Sequence, residues 1–178
     1  MRTITKDKES WKANVDFVAL KLNEDYSVAV KAKALWLLGE MGLKYPEEIE
    51  PHINNIAGIG IADKDLIIDY IDTLMKLKYD KTENVRHAFI RACENIAANA
   101  PELFCEKLGI FYEMITDSHE KLRIEAPEMF RVVGKRNPNC VKPYLEKLEY
   151  IAENDENQTV HIHSAGAIRI TKKALEEI

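Results

Sequence analysis

Asp117-Ser-His-Glu-Lys-Leu122-Arg123, followed by Phe130 and closed by Pro138, is the stretch that decides the fold. Leu122, Ala126, Met129, Phe130 and Val133 recur at spacings that line one face of an α-helix. Asp117 stands just before that helix, where a carboxylate can accept bonds from backbone N–H groups with no helical partner. Ser118 is a second candidate cap. Pro138 falls where a missing N–H is tolerated, at the first turn of the next helix. Pro127, inside the stretch, should cost the bond to the Arg123 carbonyl and kink the helix.

The pattern returns along the chain. Five residues after Asp25, Asp80, Asp117 and Asp155 stand Val30, Val85, Leu122 and Val160, and the next residues are Lys31, Arg86, Arg123 and His161. Eight residues beyond the apolar openers come Leu38, Cys93, Phe130 and Ile168, and in the first three copies a proline follows at Pro46, Pro101 and Pro138. The copies are 55, 37 and 38 residues apart. Helical periodicity runs through the whole chain and predicts about nine helices, at 10–23, 26–42, 47–57, 63–78, 82–99, 101–116, 119–136, 139–153 and 157–177. Ala57-Gly-Ile-Gly-Ile-Ala62 is the best strand candidate and reads as a loop.

Four copies in register, each with an aspartate in the turn and an apolar–basic pair opening the second helix, resemble the HEAT-repeat (armadillo-like) α-solenoid family. The resemblance implies an all-α, right-handed α-α superhelix of about four helix pairs plus one extra connector helix. One domain spans 1–178, with repeats at roughly 10–45, 63–100, 101–137 and 138–178 and a connector at 46–62. The physics agrees: a lone helix pair cannot bury its apolar stripe, so neighbours stack to close a core. Each basic residue can then meet the aspartate of an adjacent repeat. Asp25, Lys31, Asp80, Arg86, Asp117, Arg123, Asp155 and His161 are therefore expected to form a structural ladder. The last helix, with His161, His163, Ser164, Thr171, Lys172 and Lys173, reads as a polar terminal cap.

Composition excludes several alternatives. Apolar residues at 46% and charged residues at 31% describe a globular chain, and Gly 7 with Pro 6 disfavours a turn-rich β fold. A net charge of −5 argues against a generic nucleic-acid binder. No apolar run is long enough to span a bilayer, and the polar opening residues lack the apolar core of a signal peptide. Cys93, Cys105 and Cys140 form no C-x-x-C pair and read as reduced, mostly buried thiols of a cytoplasmic protein.

Chemistry is sparse. His161 and His163 point to different faces of one helix and cannot chelate together. Gly58-Ile-Gly60 lacks the context of a nucleotide loop and reads as a helix terminator. Asp63, Asp65, Asp69 and Asp72 lack the glycine and terminal glutamate of a calcium loop and read as a solvated face. No catalytic residue, metal site or cofactor is expected.

Charge segregates instead. First-of-pair helices are net acidic and second-of-pair helices neutral to basic. In the resembling family the second helices line the concave face. Register then picks out Trp36, Arg91, Arg131 and Arg169 as exposed inner positions, an aromatic and three guanidinium groups suited to an acidic partner. The expected function is a non-enzymatic, monomeric scaffold for protein–protein interaction, binding an acidic peptide or helix. A HEAT-like DNA-binding or alkylpurine DNA glycosylase-type protein is the alternative. Too few basic residues for many phosphate contacts count against it.

Overall fold

The computed structural model describes residues 2–23, 25–53, 55–56, 58, 71–72 and 74–178. Among these there is no strand, and the chain is all-α. No described helix is long and apolar enough to cross a membrane. The chain divides into two compact units, 1–92 and 93–178.

The first unit opens with a short helix α1 (Arg2–Lys6) and a 3-10 turn, then α2 (Trp11–Ala19) and α3 (Val28–Lys44), followed by α4 (Pro46–Ile49). Trp11, Val15, Val18 and Leu22 are buried on one side of the α2 segment, the stripe expected from their spacing. Leu35, Leu37, Leu38 and Met41 of α3 are buried with them. Asp7 starts the 3-10 turn, its Oδ1 accepting from the Glu9 N–H at 3.2 Å. His52 donates through Nε2 to Asp16 Oδ1 at 2.8 Å, which ties the α4 region to α2. Much of the expected connector 46–62 and of the helix 63–78 lies outside the described residues, including Gly60, Asp63, Asp65 and Asp69. Helix α5 (Glu83–Ala97) contains the boundary between the units.

The second unit contains α6 (Leu108–Ile115), α7 (Glu120–Arg136), α8 (Pro138–Val141), α9 (Leu145–Asn154) and α10 (Gln158–Glu176). Helix α7 packs on both α6 and α10. Leu122, Ala126, Met129, Phe130 and Val133 are fully buried, so the deciding stripe faces the core. The α7 helix runs unbroken through Pro127, and His163 Nδ1 of α10 lies 2.8 Å from the Ile124 carbonyl in that turn. A carbonyl only accepts, so Nδ1 carries the proton.

The structure corrects four expectations. The segments 101–116 and 139–153 are not single helices. Residues Pro101–Lys107 form a 3-10 run ahead of α6, and α8 is separated from α9 by a 3-10 turn at Lys142–Tyr144. Pro143 sits in that turn and withholds a backbone donor there. Each of these repeats thus has a bent or divided first half and one long second helix, closer to a three-helix than a two-helix unit.

The cysteines are the second correction. Cys105 and Cys140 are joined in a disulfide, with Cα atoms 5.2 Å apart, and only Cys93 is a free thiol. Their sequence separation of 35 is close to one repeat, so stacking brings matching parts of successive repeats together. A reading confined to short cysteine spacings misses this. Cys93 is buried as expected, and burial pushes its thiol pKa well up.

Ser118 is the third. Its hydroxyl lies against His119 Nδ1, and the N–H bond of the turn goes to Asp117 instead. The last helix is the fourth. Ser164 and Thr171 are fully buried, with no hydrogen-bond partner for either hydroxyl, so they do not belong to a polar outer face. Lys172 and Lys173 are exposed.

Candidate functional site

The turn residues act through a repeated local geometry. Thr82 N–H donates to Asp80 Oδ1 at 2.7 Å, His119 N–H to Asp117 Oδ1 at 2.9 Å, and Asn157 N–H to Asp155 Oδ1 at 2.8 Å. Each aspartate therefore satisfies a backbone donor ahead of the following helix. The basic residue six positions on returns to the same turn. Arg86 Nη1 donates to the Asp80 carbonyl at 2.8 Å and Arg123 Nη1 to the Asp117 carbonyl at 3.1 Å, and His161 Nε2 bonds the Asp155 carbonyl. Three different side chains thus do one job, closing the turn onto the helix it precedes.

Arg123 also reaches forward. Its Nε lies 3.2 Å from Asp155 Oδ2 and its Nη2 3.2 Å from Glu156 Oε1. The Arg123 and Asp155 side chains are 12% and 9% exposed, so this pair sits largely out of water. Asp25 and Lys31 make no equivalent bond among the described residues. Asp25 is exposed and Lys31 half-buried.

The inner-column residues are a different matter: Trp36, Arg91 and Arg169 are exposed and Arg131 is half-buried. In the first unit Trp36 is 40% exposed between the buried Leu35 and Leu37. Lys33, one turn earlier on α3, places its Nζ 3.6 Å from the centre of the Trp36 ring. That contact holds the indole in place and puts a positive charge on its face. Arg91 of α5 is exposed.

In the second unit one of the two expected cations, Arg131, is compensated. Arg131 bonds through Nε to Glu128 on its own helix, and its Nη2 lies 3.5 Å from Glu94 Oε1. His163 Nδ1 lies 3.5 Å from the other oxygen of Glu128. Glu94, Glu128, Arg131 and His163 therefore form one network, and Arg131 is not an isolated cation. Arg169 is exposed. The repeat column identifies Arg131 but not its carboxylate partners. The signal was present in the spacing, because Glu128 precedes Arg131 by three residues and so faces it on a helix. Lys33 was missed for the same reason, three residues before Trp36.

The exposed residues of the first unit offer a guanidinium fork, an ammonium and an aromatic face. They can grip a carboxylate or cover an apolar side chain. Among the described residues no group of three or more His, Cys, Asp or Glu is arranged to hold a metal ion.

No protein-family model matches the chain, and no curated protein matches it. Solved structures do. An engineered protein superimposes with a TM-score of 0.69 at 16% identity, covering 94% of this chain and 75% of that one. A computationally designed armadillo repeat protein for modular peptide recognition gives 0.67 at 21% identity, covering 92% and 76%. A designed armadillo repeat protein in complex with the peptide (KR)4 gives 0.56 at 20%, covering 92% and 86%. At such identities the shared property is the fold: a helical repeat built as in armadillo-type scaffolds.

Proposed function

We propose that this chain is a non-enzymatic, monomeric scaffold of HEAT/armadillo type that binds an acidic peptide or helix on its second-of-pair helices. One observation carries the reading: Trp36 stands open to solvent on an otherwise buried stretch of α3 with the Lys33 ammonium on its ring. Exposed tryptophan is costly in water, and tryptophan and arginine are enriched among residues that dominate binding energy. Lys33, Trp36 and Arg91 in the first unit are the side chains we assign to the partner, and Arg169 is a separate exposed candidate in the second unit. Arg131 contributes less, because Glu128 and Glu94 already hold it.

The designed neighbours support peptide recognition as the use of such a fold, and one of them carries a basic peptide. In the present chain the exposed residues of these columns are Trp36 and the cations Arg91 and Arg169, which favours the opposite sign of ligand. Nucleic acid is disfavoured by the net charge of −5 and by the small number of exposed guanidinium groups. A cytoplasmic location requires Cys105 and Cys140 to be held there as thiols, because the glutathione pool of the cytosol reduces accessible disulfides.

The test is direct. A fluorescein-labelled Glu/Asp-rich amphipathic peptide, the (KR)4 peptide and a DNA duplex are titrated with the protein, and with Trp36→Ala and Arg91→Glu variants. Binding of the acidic peptide alone, weakened by both substitutions, supports the reading. Preference for (KR)4 or DNA overturns it.

A further inference from the structure

The edge of the first unit contains a second feature that none of the expected site residues accounts for. A gap of about 840 Å³ opens between α1 and α3. Thr3, Thr5 and Lys6 line it on one side and Ala29, Val30 and Lys33 on the other. That volume falls in the range of sites that enclose a ligand or a side chain, about 300–1,000 Å³.

Val30 shows that the gap is a departure from the repeat. It holds the opener column, and its counterparts Val85, Leu122 and Val160 are each 0% exposed. Val30 is only half-buried. An apolar position that is covered in three copies is left partly open in the first. The α1 arm does not collapse onto it, because the arm is tied to α2: Trp11 Nε1–H donates to the Ile4 carbonyl at 2.8 Å, and Trp11 is itself buried. The opening is therefore held in shape before any ligand arrives, which lowers the ordering cost of binding.

The charges around it select the occupant. Lys6 and Lys33 face the gap from opposite walls, both exposed. The carboxylate of Asp7, also on the rim, is engaged by the Glu9 N–H. An apolar floor between two ammonium groups fits an apolar side chain flanked by carboxylates. Lys33 joins this gap to Trp36 through the ring contact already described.

We propose that the α1–α3 gap is the anchor pocket for an acidic peptide, taking one aliphatic or aromatic side chain of the peptide while Lys6 and Lys33 hold the carboxylates beside it. This rests on the acidic-peptide reading and specifies where on the first unit that peptide is gripped. A second copy of this chain docking on the same edge is the competing occupant.

The probe is a synthetic peptide of Glu and Asp residues around a single central Leu, with a Leu→Ser version as its control. Binding to the full chain is read by fluorescence anisotropy at low salt. Lys33→Glu should weaken binding of the Leu peptide about tenfold or more, and Lys6→Glu severalfold, with the effect fading as salt is raised. Ala29→Trp, at an exposed position, should fill the gap and remove the advantage of the Leu peptide over its Ser control. Circular dichroism checks that each variant is folded. If the acidic peptide binds wild type, is lost with Arg91→Glu and is untouched by Lys6→Glu and Ala29→Trp, the pocket is wrong and the acidic-peptide reading stands. If the acidic peptide binds no better than (KR)4, both fall. If sedimentation shows a wild-type dimer that Ala29→Trp dissolves, the occupant is a second copy and the peptide pocket is overturned.

Discussion

Gly134 of α7 lies so close to Thr171 of α10 that a Cβ atom on it would stand 2.0 Å from Thr171 Oγ1 and 3.2 Å from Thr171 Cβ. Both residues are buried, and the threonine is branched at Cβ, so neither side can swing away cheaply. Gly134→Ala should therefore destabilise the protein by about 1–3 kcal/mol, the usual range for overpacking. Removing the obstructing oxygen with Thr171→Ala should recover part of that loss in the double variant. A thermal melt of the four-member cycle reads the coupling. Additive losses would mean that the helices separate freely here.

The same threonine allows a change of opposite sign. Its hydroxyl is buried without a hydrogen-bond partner, a cost of roughly 1–3 kcal/mol for a desolvated polar group. Thr171→Val keeps the branched shape and removes the hydroxyl. The variant should melt higher than wild type. An unchanged or lower melting temperature would show that water satisfies the hydroxyl.

Arg123 and Asp155 make the third structural prediction. Asp155 takes the Asn157 N–H with one oxygen and Arg123 with the other. Asp155→Ala removes the acceptor of both bonds and leaves the mostly buried guanidinium with the exposed Glu156 carboxylate as its remaining ion pair, which should cost about 3 kcal/mol. Asp155→Asn keeps an acceptor for the N–H and should cost less. Chemical denaturation of both variants gives the order, and equal losses would assign the whole effect to the turn rather than to the ion pair.

The repeat was legible because its signals are local. Asp80, Asp117 and Asp155 sit at turns, and the apolar columns at Leu38, Cys93 and Phe130 are buried, as a 3.6-residue period requires. What stayed hidden depends on pairing across the stack. Nothing near Cys105 announces Cys140, and nothing near Arg131 announces Glu94, because the partner lies about one repeat away. Trp36 was legible as exposed, but the gap beside it was not. It arises from how α1 is tied to α2 through Trp11 and Ile4, a bond between an indole and a backbone carbonyl that no residue pattern encodes.

The Cys105–Cys140 bond closes a loop over a separation of 35 residues, for which chain-entropy reasoning gives about 4 kcal/mol of stabilisation. Reduction should lower the melting temperature, and Cys105→Ser with Cys140→Ser should reproduce the loss. Thiol titration separates the states. The native oxidised chain should react slowly or not at all, since Cys93 is buried and its thiolate scarce. After mild reduction two thiols should become reactive while Cys93 waits for unfolding. Protein recovered from a reducing cytosol should show those two thiols from the start.

The Glu94–Arg131–Glu128 network yields the final prediction, which concerns binding rather than folding. Arg131 is held by one carboxylate on its own helix and a second on α5, so an arriving acidic group must compete with both. Glu128→Gln keeps the side-chain size and can still accept a hydrogen bond, but it removes one negative charge from this face. The acidic peptide should then bind severalfold more tightly at low salt, and the gain should shrink as salt screens the surface. Arg131→Gln in the wild-type background should weaken binding less than Arg91→Gln, since Arg131 starts compensated. Anisotropy titrations of the three variants decide it. A larger loss at Arg131 than at Arg91 would mean that the network opens on binding and hands its guanidinium to the peptide.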